Sequence, residues 1–194
     1  MPETELHRQL KVLSETVSQC TRCSLHSTRT QTVFQRGNPQ AQVCIIGRDP
    51  GVEEDALGIA FVGRSGKLLD RTIQELGHDP ATDIYICNVV KCHCPNNRPP
   101  TSQELQACWP HIENQLDLLP AKVILTLGST ATHTVVSQTK PISYLRGKVL
   151  TYKTKKCVPT FHPSFLIRSG NENSQHYPLF KADLALAFQL SKEN

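Results

Sequence analysis

Apolar residues recur at Leu6, Leu10, Leu13 and Val17, the three-and-four spacing of one helical face, and the run leads directly into Cys20 and Cys23. A different pattern follows. Short runs of apolar and β-branched residues at 42–47 (QVCIIG), 83–90 (DIYICNVV), 122–128 (KVILTLG) and 157–161 (CVPTF) are bounded by glycine, proline or charge, and they predict buried strands. Helical patterns lie between them. One covers 65–77 with Ser65 as cap and Gly77 as stop; a second covers 101–119 and opens on a T-x-x-E capping box; a third covers 129–138. Pro110 inside the second predicts a kink or a restart. A last amphipathic helix is expected from about Tyr177 to Ser191.

Strands alternating with helices predict an α/β protein: a three-layer α/β/α sandwich around a central, mostly parallel four-stranded sheet. Ligands of such folds sit beyond the carboxyl ends of the strands. The polar loops after Ile46, Val90 and Phe161 fall on that edge. With no internal repeat or interdomain linker, residues 1–194 are expected to form one domain whose N-terminal helix leads into the C-x-x-C pair.

Composition changes this picture little. Apolar content is 38% and charged content 20%, and no apolar run approaches the ~20 residues of a membrane span. The N-terminus lacks the features of a signal peptide, so a soluble, cytoplasmic protein is expected. A net charge of +4 permits nucleic acid as a partner without requiring it.

The eight cysteines matter more. In a cytosolic chain of this length they point to ligation rather than disulfides. Cys20 and Cys23, joined at long range by Cys92 and Cys108 with Cys94 nearby, could hold zinc or an iron–sulfur cluster, because both take four thiolates. Cys44, Cys87 and Cys157 lie on apolar runs and read as unligated core thiols.

Two loops carry the remaining candidates. GRDPGVEEDALGIAFVG (47–63) starts at a strand end with a Gly/Pro turn whose N–H groups can face a ligand, and it lacks the G-x-x-x-x-G-K-[ST] of a Walker loop. Asp49 is expected to point into the cleft, whereas Glu53, Glu54 and Asp55 read as solvated acids. In TFHPSFLIRS (160–169), His162 follows the last strand, and Phe165, Leu166 and Ile167 stand in a loop-like setting beside Arg168. Apolar side chains at a loop tip suit a wedge into a base stack; the alternative is a loop folded back on the core.

GRDPGVEEDALGIAFVGRSGKLLD, NVVKC…NNRPPT…C and FHPSFLIR, with the N-terminal C-x-x-C, together resemble the iron–sulfur uracil-DNA glycosylases of family 4, in the right order from about Leu13 to Leu190. The resemblance implies a 4Fe-4S cluster on Cys20, Cys23, Cys92 and Cys108, with Cys94 where relatives usually show proline. It implies that Asn88 reads the edge of a flipped uracil, that Phe61 stacks on its face, that His162 sits by its O2, and that Gly47 and Arg48 belong to the same base-binding loop. The chemistry agrees: an enzyme acting on a base extrudes it, stacks it and reads it by hydrogen bonds, and donors aimed at the departing anion carry much of the rate.

Where relatives read GEAPG, this chain has Arg48, and a guanidinium cannot serve as base. Asp49 stands where the branch marked by GQDPYH keeps its water-activating aspartate, and Gly51 where that branch has a tyrosine. Leu166 matches the side chain that fills the gap left by the flipped nucleotide, with Arg168 beside it. The implied activity is monofunctional hydrolysis of uracil from single- or double-stranded DNA, leaving an abasic site for base excision repair, by a monomer with no membrane partner. A uracil- or DNA-binding module without turnover, and an iron–sulfur sensor, are the competing readings.

Overall fold

The computed structural model describes residues 4–193. In chain order the elements are α1 (Glu5–Ser18), β1 (Arg36–Gly37), β2 (Val43–Gly47), α2 (Val52–Leu57), α3 (Arg64–Glu75), β3 (Ile84–Asn88), α4 (Ser102–Leu118), β4 (Val123–Leu127), α5 (Gly128–Val136), α6 (Ile142–Leu145), β5 (Leu150–Tyr152), β6 (Lys155–Thr160), α7 (Pro163–Arg168) and α8 (Tyr177–Ser191). The strands form one six-stranded sheet of order β1-β3-β2-β4-β6-β5. The four expected strands are β2, β3, β4 and β6, all mutually parallel where they pair. The expected count of four falls short by the edges: β1 and β5 add on antiparallel. At two and three residues, with only Tyr152 buried, neither edge has an apolar run by which a pattern could reveal it.

Side-chain alternation divides each central strand between two cores. Val43, Ile45, Ile84, Ile86, Val123 and Leu125 face a layer built from α3, α7 and α8, where Leu68, Ile73, Leu166, Phe180 and Leu184 are fully buried. Cys44, Ile46, Tyr85, Cys87 and Ile124 face α1 and α4 through Leu10, Val17, Ile112 and Leu116. Both faces of the sheet are covered, which is why the strands read as continuous apolar runs. Cys44, Cys87 and Cys157 are buried free thiols, as their apolar surroundings lead one to expect.

Helix ends follow local chemistry. Thr101 and Glu104 form the capping box, with the Thr101 amide donating to the Glu104 carboxylate at 2.7 Å and the Glu104 amide donating to the Thr101 hydroxyl at 3.2 Å. Helix α4 runs through Pro110 without a restart. Gln106, whose carbonyl loses its amide partner there, and Pro110 are both exposed, so water can meet the freed carbonyl. Helix α3 is capped by Gly63, not Ser65. Its first turn lies on the carbonyl of Phe61, an approach open to Gly66 because any side chain there would collide with that oxygen.

The strand order reverses about β2, with β3 on one side and β4 on the other, and a crevice opens at such a switch point. The loops leaving β2, β3, β4 and β6 all reach it. Among the described residues no helix is long and apolar enough to cross a membrane.

Candidate active site and cysteine chamber

A cleft of about 650 Å³ lies at the carboxyl ends of the parallel strands. Arg48 and Asp49 enter it from the loop after β2, Asn88 from the end of β3, Gly128 to Thr130 from the start of α5, and His162 from the end of β6. Phe61, Phe165 and Arg168 complete its walls.

Asn88 is 1% exposed, and among the described residues its Oδ1 has no hydrogen-bond partner. A buried carbonyl oxygen without a donor is costly and is usually met by a ligand or water. Phe61 lies across Gly47 from it; a methyl group on Gly47 would strike both the Asn88 carboxamide oxygen and the Phe61 ring. Phe61 is held at φ +55°, a left-handed conformation uncommon for an aromatic residue. Its ring centroid stands 6.1 Å from that of His162. Since Gly47 leaves no room for a Cβ, Gly47→Ala is expected to displace Phe61 or Asn88 and cut uracil excision about tenfold or more, by the ~1–3 kcal/mol of overpacking. Single-turnover rates against uracil concentration in DNA, with circular dichroism to check folding, measure this.

His162 caps α7, and its Nδ1 accepts from the Ser164 amide at 3.1 Å and from the Ser164 hydroxyl at 2.8 Å. An Nδ1 that accepts carries no proton, so the neutral ring keeps its N–H at Nε2. Burial, reinforced by the positive charges of Arg48 and Arg168, pulls the His162 pKa down to about 4. The ring is therefore a neutral donor near pH 7.

The Asp49 side chain is 4% exposed. The Arg48 Nε donates to its Oδ1, and Arg48 Nη2 reaches the Asn97 carbonyl at 3.2 Å, which bridges the β2 and β3 loops. Burial raises the Asp49 pKa from its ordinary 3.8, and Arg48 opposes the rise. Cys94, fully buried, adds its thiol as a donor to the same carboxylate. It is not among the residues lining the cysteine chamber described below.

Three expectations are corrected. Glu54 and Asp55 are not solvated: they are 8% and 7% exposed, on α2, and accept from backbone amides. Gly63 donates to Glu54 Oε1 at 2.8 Å, and Thr30 donates to both Asp55 oxygens at 2.9 and 3.1 Å. Only Glu53 of the three is exposed. Leu166 is not at a loop tip: it is 0% exposed, on α7, packed into the core beneath the sheet. Helical periodicity turns its neighbours Phe165 and Arg168 to the cleft instead. Glu54 and Gly128 to Thr130 line the site without any motif that marks them for it. The LGST sequence after β4, a glycine turn on the same sheet edge as the other loops, is a positional signal for the second of these.

On the far side of the β3 loop, Cys20, Cys23, Cys92 and Cys108 line one small, largely apolar chamber with Val17, Val90 and Ala107. The first two come from the turn after α1, Cys92 from the loop after β3, and Cys108 from α4. Donors surround the sulfurs. Arg29 Nη1 reaches Cys92 Sγ, the Lys91 amide reaches Cys108 Sγ, and His111 Nε2 lies beside Cys20 Sγ, each at 3.3 Å. Arg29 also ties the turn after α1 down through the Cys20 and Ser18 carbonyls. Burial pushes the Cys108 thiol up to about 12. Among the described residues no three His, Cys, Asp or Glu side chains converge on a point that one metal ion could occupy.

An α/β sheet with this cleft at its switch point has known counterparts. A family model described as the uracil DNA glycosylase superfamily matches residues 34–185. A type-4 uracil-DNA glycosylase of Thermotoga maritima is 40% identical over 181 residues, covering 92% of this chain and 94% of its own. The type-4 uracil-DNA glycosylase of Sulfurisphaera tokodaii is 38% identical over 170 residues, 84% of this chain and 77% of the relative. That of Archaeoglobus fulgidus is 35% identical over 173 residues, 85% and 86% of the two chains. The chain belongs to the uracil DNA glycosylase superfamily, and within it to the type-4 family.

Proposed function

We propose that this protein hydrolyses the N-glycosidic bond of uracil in DNA and leaves an abasic site for repair. The observation that carries the proposal is the orphaned Asn88 Oδ1 in the cleft, between Phe61 and the strand-end loops. Uracil offers an N3–H donor beside two carbonyl acceptors, and a carboxamide presents the matching acceptor and donor. Phe61 supplies the stacking face. Neutral His162 offers Nε2–H to the O2 on which charge gathers as the bond breaks, and ionised Asp49 holds the attacking water. Arg48, fixed between Asp49 and the Asn97 carbonyl, keeps the carboxylate ionised and brings a positive charge toward the departing anion.

Cys20, Cys23, Cys92 and Cys108 would hold a 4Fe-4S cluster. Four cysteines lining one chamber supply the four thiolates that such a cluster takes. The donors at 3.3 Å from three of the sulfurs are those a bound cluster's ligands accept. Cys20 and Cys23 in the turn after α1, Cys92 in the loop after β3 and Cys108 on α4 would thereby be joined through the cluster, which would steady the loop that follows Asn88.

DNA contact falls to Phe165 and Arg168. Leu166→Ala is expected to cost about 2–5 kcal/mol of stability, as a buried leucine truncated to a cavity does, without altering the ratio of double- to single-strand cleavage. Arg168→Ala is expected to weaken DNA binding evenly across sequences and to lower the salt slope by about one. Denaturant melts for the first and binding isotherms at several salt concentrations for the second decide the matter; a double-strand defect in the Leu166 variant would restore that residue as the wedge.

The activity is tested by single-turnover incubation with a labelled oligonucleotide bearing one uracil, followed by alkali. A break at the uracil alone supports the proposal. Binding of uracil DNA without base release would instead mark a recognition module.

A further inference from the structure

Lys91 is 1% exposed, among the largest fully buried side chains of the molecule. Its ammonium donates to the Phe34 carbonyl at 3.2 Å and to the Gln115 carboxamide oxygen, and it stands 5.3 Å from the centre of the Phe34 ring. Gln115, itself fully buried, is held with that oxygen toward the lysine because its amide nitrogen donates to the Tyr85 hydroxyl and to the Phe34 carbonyl. Among the described residues no carboxylate pairs with Lys91. Every polar partner is neutral. A buried cation so placed is costly unless an opposite charge lies close by, and buried lysines are rarely left in that state.

The neighbouring chamber would supply the anion once it is filled. Lys91 precedes Cys92, its amide donates to Cys108 Sγ, and it is one of the residues that line the cysteine chamber. An iron–sulfur cube on four thiolates carries net negative charge in a setting with little water to screen it. We propose that Lys91 is the internal counter-ion of the cluster: a cation fixed by Gln115 and Phe34 whose field stabilises the cluster's negative charge and raises its reduction potential. Half-buried Arg29 and buried His111 meet the sulfurs of Cys92 and Cys20, whereas Lys91 anchors its ammonium in the core on Phe34 and Gln115. This rests on the cluster proposed above and concerns a residue that is not among its ligands.

The test compares wild type with Lys91→Met, of similar length and without charge, and with Lys91→Arg, which keeps it. Iron content, the midpoint potential of the cluster by electrochemistry, and the rate of iron loss to a chelator are read on purified protein without DNA. The expected result is a potential shifted to more negative values in Lys91→Met, with iron lost several-fold faster, and a smaller change in Lys91→Arg. Thermal melts of chelator-stripped protein provide the second measurement. Without the cluster, Lys91→Met should lose less stability than it does with iron bound, because the hydrogen bonds to Phe34 and Gln115 are lost in both forms and the attraction to the cluster in only one. Equal loss of stability with and without iron would show that Lys91 only fills space. An unmoved potential in an iron-replete Lys91→Met protein would overturn the counter-ion role alone, whereas wild type without iron would overturn the cofactor proposal and this one with it.

Discussion

Asp49→Asn is expected to slow single-turnover uracil excision by about 10²–10⁴-fold, the usual worth of a positioned general base, while DNA binding stays near the wild-type value. The substitution keeps the shape of the side chain and one oxygen, so Arg48 and Cys94 retain a partner and the loop keeps its form. What goes is the charge that orients and activates water. The pH profile separates this from a packing effect. Burial lifts the Asp49 pKa above its ordinary 3.8, and Arg48 holds the rise in check, so the rate should climb with pH through a value higher than a free aspartate's. Arg48→Gln removes the restraint and should move that acid limb to higher pH. A wild-type rate in Asp49→Asn, or a limb that moves the other way in Arg48→Gln, would take the water-activating role from this carboxylate.

His162→Leu is expected to cost about 10²–10³ in the single-turnover rate, the loss that follows removal of one donor to a developing oxyanion. The protonation state carries a second, independent signature. The ordinary histidine value is 6.5 and that of folded His162 about 4, so between these limits the unfolded chain takes up a proton that the folded chain refuses. The stability His162 contributes is thus complete above about pH 6.5 and declines as pH falls toward 4. Denaturant midpoints measured across that window should fall less steeply in His162→Leu than in wild type. Equal slopes would mean that His162 titrates as an ordinary histidine and that its surroundings do not hold it neutral below pH 6.5.

How far these residues could be read in advance depended on the range of the forces placing them. The four central strands were legible because both faces of the sheet are covered, which leaves unbroken apolar runs such as VCIIG and VILTL. The Thr101 capping box and α8 were legible because their signals lie within a few residues. The edges β1 and β5 were not, since backbone pairing with a neighbour distant in sequence makes them, with little apolar content of their own. Helix α3 begins at Gly63, not at the serine that local preference favours, because Gly66 lets the chain close on the Phe61 carbonyl.

Residue types and spacing in this chain were sufficient to indicate a doubly covered parallel sheet, a set of polar loops on one edge of it and a four-cysteine constellation, and the resemblance of its motifs pointed to the family. Side-chain direction was beyond their reach. Glu54 and Asp55 look like solvent-facing acids until amides from Gly63 and Thr30, distant along the chain, are brought against them. Leu166 looks like a loop-tip residue until α7 turns it into the core and leaves Phe165 and Arg168 lining the cleft. Spacing does not say whether Cys94 is a ligand or a bystander; in the fold its thiol lies against the Asp49 carboxylate. Each outcome depends on contacts between segments far apart in sequence, and a local pattern carries no information about which of its faces a distant segment will cover.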